Sequence, residues 1–193
     1  MQQGNFVLIG YMGSGKTTVG GVLASVAGMD FVDMDPLLEE RAGMSISRIF
    51  ELETEKGFRD RESALIRFLA GEKRRGVVYA TGGGSPLREE NRKLLRSLGT
   101  VIWLEVSAES VLERLKDATD RPLLQRPDRE QAVRAMIRER GPAYAACADI
   151  SVCTDKKLPE AIAREILTKA GEREFGLPPC PDAPDRAGAK NQG

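Results

Sequence analysis

Gly10-Tyr11-Met12-Gly13-Ser14-Gly15-Lys16-Thr17 is the stretch on which the fold turns. It follows a short apolar run, Asn5–Ile9, which reads as a buried strand. It precedes Thr17–Ala27, where Val19, Val22, Leu23 and Val26 recur at helical spacing until Gly28. Strand, glycine-rich turn and helix are the setting in which G-x-x-x-x-G-K-[ST] cradles phosphate. The glycines let successive backbone N–H groups converge on phosphate oxygens, and the following helix adds the positive end of its dipole. Lys16 then reaches the β- and γ-phosphates of a bound nucleotide, and the Thr17 hydroxyl is placed to bind Mg²⁺. A dinucleotide fingerprint would need a third glycine where Thr18 stands.

Outward from this loop the same alternation continues. Phe31–Asp33, Val77–Thr81, Thr100–Val106 and Asp149–Val152 read as further strands. Pro36–Ala42, Ser45–Gly71, Ala108–Lys116, Asp128–Ala146 and Leu158–Ala170 read as helices, with Gly57 a possible break in the longest. Ser85-Pro86 reads as the N-cap and first-turn proline of another helix. Five apolar strands interleaved with helices predict an α/β fold of three layers, a five-stranded parallel sheet with helices on both faces. Polar, proline-punctuated residues 117–127 are expected to form a mobile lid, and residues 1–175 a single domain. From Gly176 onward Pro178, Pro179, Pro181 and Pro184 sit among small polar residues, which predicts a disordered tail over 176–193.

Composition narrows the chemistry. The chain has 193 residues and zero formal net charge, with no basic run dense enough to follow a nucleic-acid backbone, so no nucleic-acid partner is expected. No apolar stretch nears the ~20 residues of a membrane span, and the N-terminus lacks a signal-peptide pattern. The expectation is a cytoplasmic monomer without membrane association. Cys147, Cys153 and Cys180 show no metal-ligand spacing and read as two core residues and a tail thiol. Histidine is absent, which removes Ser-His-Asp and Cys-His systems and His-ligated zinc.

A phosphate loop alone does not separate kinases from switches, motors or helicases. The chain has no Asn-Lys-x-Asp guanine reader, and motors and helicases are normally larger. Further along lie Asp33-Met-Asp35, Phe58-Arg59 with Glu62, Gly82-Gly83-Gly84, Arg121-Pro-Leu-Leu124 and Glu139-Arg140-Gly-Pro-Ala-Tyr144. In this order and spacing the set resembles the shikimate kinase family, related to the nucleoside monophosphate kinases, over roughly residues 5–170. The resemblance implies transfer of the ATP γ-phosphate to the 3-hydroxyl of shikimate, giving ADP and shikimate 3-phosphate, with one Mg²⁺ ion.

It also implies roles. Gly13, Ser14, Gly15, Lys16, Thr17 and Thr18 would hold the ATP phosphates. Thr17 would bind the metal directly and Asp33 through water. Asp35 would bind the substrate hydroxyls and take a proton, though Asp35 before Pro36 also reads as a helix N-cap. Two residues apart on a strand, Asp33 and Asp35 would face the same crevice. Arg59 and Arg140 would clamp the substrate carboxylate in forked hydrogen bonds, although arginines on helices are more often solvated. Glu62 would hold Arg59 or form an ordinary surface pair with it. Gly82, Gly83 and Gly84 would bring backbone close to the substrate. Arg121 would stabilise the transferring phosphoryl group when the lid closes. Arg114, Lys157 and Pro159 would flank the adenine, with Lys157 standing where the family often has arginine. Lys16, Asp35 and Arg121 are thus the catalytic candidates. Another small-molecule kinase acting on gluconate or a nucleoside monophosphate is the nearest alternative, and a non-catalytic nucleotide sensor the other.

Overall fold

A computed structural model describes residues 4–116 and 128–174. The expected lid over 117–127, with Arg121, and the expected tail over 176–193, with Cys180, lie outside the described residues. The chain runs β1 (Phe6–Ile9), α1 (Lys16–Ala27), β2 (Asp30–Asp33), α2 (Met34–Ala42), α3 (Ile46–Glu72), β3 (Val77–Ala80), a 3₁₀ turn (Ser85–Leu87), α4 (Glu89–Leu98), β4 (Thr100–Glu105), α5 (Ala108–Arg114), α6 (Arg129–Cys147), β5 (Ile150–Cys153) and α7 (Pro159–Glu174). All strand pairs are parallel, and the spatial order is β2-β3-β1-β4-β5. The three-layer α/β expectation holds.

Pleat alternation explains the layers. Val7, Ile9, Val77, Tyr79 and Val101 pack on one face against Leu65, Ile66 and Leu69 of α3, Leu95 of α4 and Val133 of α6. Leu8, Val78, Ile102, Leu104 and Val152 pack on the other against Val19 and Leu23 of α1 and Ile162 and Ile166 of α7. Strands buried on both faces carry continuous apolar runs, as read. β1 lies between β3 and β4, so the loops leaving β1 and β3 emerge side by side at the carboxyl edge. This is where the order of strands reverses, and where open α/β sheets bind their ligands.

Several local expectations are corrected. Helix α2 begins at Met34, not Pro36, so Asp35 lies in its first turn rather than on the strand. Its N-cap is Asp33, whose Oδ1 accepts from the Asp35 N–H at 3.1 Å. Ser85-Pro86 does not cap a helix: Ser85 starts the 3₁₀ turn, and α4 begins after Arg88. In α3 the irregularity is at Thr54 (φ 62°, ψ −178°), not at Gly57. Gly57 instead leaves room for Glu53, whose carboxylate crosses over to take both Nε (2.8 Å) and Nη2 (2.7 Å) of Arg61. Cys147 is buried as expected, but Cys153 ends β5 exposed rather than in the core.

Candidate active site

The phosphate loop is shaped as its glycines predict. Gly13 and Gly15 hold φ of 72° and 91°, and Gly15 starts α1 in the left-handed conformation that only glycine adopts readily. No side chain caps that N-terminus, so its N–H groups face the crevice where phosphate oxygens would sit. Ser14 is fully buried within the loop, and its hydroxyl lacks a hydrogen-bond partner. Lys16 Nζ donates to the carbonyls of Gly10 (2.9 Å) and Tyr11 (3.1 Å), which folds the ammonium back across the loop. Thr18 lies on the exposed side of α1.

Thr17 Oγ1 donates to Asp33 Oδ2 at 2.6 Å, joining the helix after β1 to the end of β2. A hydroxyl and one carboxylate suit Mg²⁺, which keeps several waters and takes its other ligands from nucleotide phosphates. No group of three or more acidic, His or Cys side chains able to cage a metal occurs among the described residues. The donor set therefore fits an ion that arrives with its nucleotide.

Beside this corner, the residues expected to hold an acceptor converge from three elements. A Cβ on Gly82 would lie 2.6 Å from Glu62 Oε1 and 3.1 Å from Asp35 Oδ1. A Cβ on Gly84 would overlap the Arg59 guanidinium. One on Gly83 would sit 3.5 Å from the Gly10 carbonyl and 3.6 Å from the Met12 N–H, so the triplet abuts the phosphate loop. At Gly82 and Gly84 the space a Cβ would fill is taken by side chains from α2 and α3, whereas at Gly83 it would meet only ordinary contacts with the phosphate loop.

Glu62 is no surface residue. It is 4% exposed, its Oε2 accepts from Arg59 Nη1 (2.9 Å) and its Oε1 from Ser85 Oγ (2.6 Å). A carboxylate buried to that degree is tolerated because both oxygens are satisfied. Arg59 is also within 3.3 Å of Glu55 and lies over the Phe58 ring at 5.0 Å. Its guanidinium is therefore oriented before any ligand arrives.

Arg140 approaches from α6, with Cζ 5.7 Å from the centre of the Tyr11 ring. Four residues on, and so on the same helix face, Tyr144 is 2% exposed and donates its hydroxyl to the Gly83 carbonyl at 2.6 Å. Burial pushes the Tyr144 phenol up to about 12, with Arg140 and Arg59 opposing it. Tyr11 is raised too, by burial against the pull of Arg140. Both phenols stay neutral donors at physiological pH.

On the nucleotide side Arg114 is tied down rather than splayed. Its Nη1 donates to the Gly13 carbonyl (2.9 Å) and Thr154 Oγ1 (3.1 Å), and its Nη2 to the Thr154 carbonyl (2.6 Å). The guanidinium thus links the phosphate loop to the segment that leads into α7, at whose start Pro159 stands. Lys157 is paired with Glu165 at 2.6 Å, so its ammonium points along α7. The two helices flanking the expected lid are clasped by an ion pair between Arg134 and Glu109.

Sequence reasoning gave no site role to Thr154 or Tyr144, and read Ser85 only as a helix N-cap. The i, i+4 relation of Tyr144 to Arg140 carried a signal; the hydroxyl partners of Ser85 and Thr154 are more than twenty residues away and carried none.

Comparison with known proteins agrees with this geometry. The family model described as shikimate kinase matches residues 12–170. The chain belongs to the shikimate kinase family. The kinase is 44% identical over 163 residues to the shikimate kinase of Chromohalobacter salexigens, covering 84% of this chain and 89% of the relative. It is likewise 44% identical over 172 residues to that of Symbiobacterium thermophilum, covering 88% and 97%. A solved shikimate kinase from Acinetobacter baumannii, in complex with shikimate, superposes with a TM-score of 0.83 at 36% identity, covering 90% of this chain and 96% of that one. The kinase is an ATP-dependent phosphotransferase, and no helix among the described residues is long and apolar enough to cross a membrane.

Proposed function

We propose that this kinase transfers the γ-phosphate of ATP to the 3-hydroxyl of shikimate, giving shikimate 3-phosphate and ADP. The observation that carries the reading is the crevice beside the phosphate loop. Asp35, the Arg59–Glu62 pair and the glycine triplet meet there within contact distance, and Arg140 reaches the adjoining Tyr11 and Tyr144. A carboxylate-bearing polyol fits that combination, since the arginine forks match a carboxylate and Asp35 matches hydroxyls.

The chemistry needed is mostly placement and charge compensation. The α1 N-terminus and the loop N–H groups take phosphate oxygens, and Lys16 leaves the Gly10 and Tyr11 carbonyls for the β- and γ-phosphates. Thr17 and, through water, Asp33 would hold Mg²⁺, which would supply positive charge to the phosphate oxygens. Arg59 and Arg140 fix the acceptor by its carboxylate. Asp35 orients the acceptor hydroxyl toward the γ-phosphorus and accepts its proton. Arg121, in the segment 117–127 that we read as the lid of a single domain over 1–175, adds charge at the transferring phosphoryl group. Arg114 and Pro159 flank the adenine. Lys157, drawn toward Glu165, is the weakest fit to that role.

An acceptor screen tests the reading. With shikimate, quinate, gluconate and nucleoside monophosphates offered separately with MgATP, shikimate is expected to give the highest kcat/KM. Preference for gluconate or a nucleoside monophosphate would replace the assignment with another small-molecule kinase. ATP binding without turnover of any acceptor would indicate a nucleotide sensor.

A further inference from the structure

The glycine triplet has three carbonyls. Those of Gly82 and Gly84 close the following turn, accepting from the N–H groups of Ser85 (3.1 Å) and Leu87 (3.0 Å). The Gly83 carbonyl takes the Tyr144 hydroxyl instead, at 2.6 Å. A glycine peptide has wide rotational freedom, so a loop made of three in succession keeps one orientation only if something outside it fixes the middle unit. Tyr144 can do this because its ring is itself fixed. It is 2% exposed and packs against Trp103 of β4, with ring centres 5.8 Å apart. Arg140, one turn earlier on the same helix, lies close enough for its charge to oppose the rise that burial imposes on the phenol. One helix, α6, therefore carries both the hydroxyl that holds the Gly83 backbone and one of the two guanidinium groups assigned to the acceptor.

We propose that Tyr144 is a positioning residue for the acceptor half of the site, locking the Gly83 peptide into one orientation beside Arg140. The proposal rests on the reading of Gly83 and Arg140 as acceptor contacts. A carbonyl and the next N–H lie antiparallel in one peptide plane, so holding the Gly83 carbonyl toward α6 turns the Gly84 N–H the other way. Arg140 stands one turn before Tyr144 on α6, with its Cζ 5.7 Å from the centre of the Tyr11 ring. The acceptor then meets donors already in place, and less of its binding energy is spent on ordering them.

Tyr144→Phe removes one oxygen and leaves the ring that fills the core. The expected result is a rise of about tenfold in the shikimate KM, the scale of one well-placed hydrogen bond, with the ATP KM within about twofold of wild type. Hydrogen exchange at the Ser85 and Leu87 amides, which close the turn, is expected to quicken by about tenfold as the loop loosens. An unchanged shikimate KM would overturn the proposal, as would equal rises in both KM values with a lowered melting temperature, which is the mark of general damage. Failure of the wild-type protein to phosphorylate shikimate would count against the functional reading alone. The exchange measurement then decides the positioning role, unchanged rates refuting it and faster rates at Ser85 and Leu87 supporting it.

Discussion

Gly84 leaves no room for even a methyl group without moving Arg59. The obstructing atoms are the far end of a flexible side chain, so Gly84→Ala should fold and displace the guanidinium rather than the backbone. A shikimate KM raised about tenfold with an unchanged ATP KM is the expected steady-state result. Arg59 also stands opposite buried Glu62, so Arg59→Ala would remove the acceptor clamp and leave an uncompensated charge at once. Arg59→Lys separates the two effects: the charge facing Glu62 stays while the fork is lost. Thermal denaturation should shift little and the shikimate KM should rise about tenfold; an unchanged KM would remove Arg59 from the acceptor clamp. Individual residues were legible in the sequence where their chemistry depends on a fixed local spacing. Lys16 and Thr17 are set by the loop itself, and the Arg59–Glu62 bond by a three-residue helical step. Ser85 was opaque because its partner, Glu62, reaches it from another element.

At the scale of elements, α3 carries the clearest local strain. Thr54 is β-branched yet holds φ 62° and ψ −178°, a region reserved almost wholly for glycine, between two helical stretches. The kink turns Glu53 back onto Arg61 and precedes the turns that present Arg59 and Glu62. Thr54→Gly should relieve the strain and stabilise the protein by about 1 kcal/mol, read as a higher urea midpoint with the m-value unchanged. A lower midpoint would mean that the threonine methyl and hydroxyl contribute more than the strain costs. The identity of the strands and long helices was readable, since strands covered on both faces carry continuous apolar runs and helices a 3.6-residue period. Boundaries were less so. Asp33 and Asp35 are both good cap residues, and Pro36 favoured the second, whereas the chain caps α2 with Asp33. That choice lets one carboxylate serve two partners, Oδ1 accepting from the Asp35 N–H and Oδ2 from the Thr17 hydroxyl. The same ambiguity at Ser85-Pro86 resolved into a 3₁₀ turn, because the Ser85 hydroxyl is engaged by Glu62 instead of a helix N-terminus.

Across the whole molecule, burial sets the response to alkali. It pushes the Cys147 thiol from 9.0 up to about 11 and the Tyr144 phenol from 10.0 to about 12. The folded protein then keeps protons that the unfolded chain has already released, so stability falls as pH rises through that interval. Denaturant midpoints should hold steady below pH 9, fall from there, and drop faster past pH 10, levelling only as the folded groups ionise near 11 and 12. A midpoint that rises over this range would contradict the sign. Removing the phenol in Tyr144→Phe should lessen the fall above pH 10. The same packing that isolates Tyr144 also joins the two halves of the reaction: β1 and β3 lie side by side, so the phosphate loop and the glycine triplet share one edge. That juxtaposition was implicit in the strand alternation, but the strand order that creates it was not written in any single segment. At this edge phosphate is proposed to pass from ATP to one hydroxyl of shikimate. The decisive measurement follows ADP formation with MgATP and shikimate while NMR locates the product phosphate. One phosphate ester, on the 3-hydroxyl, is expected for each ADP formed; ADP release no faster than with water alone, or an ester at another position, would overturn the proposed function.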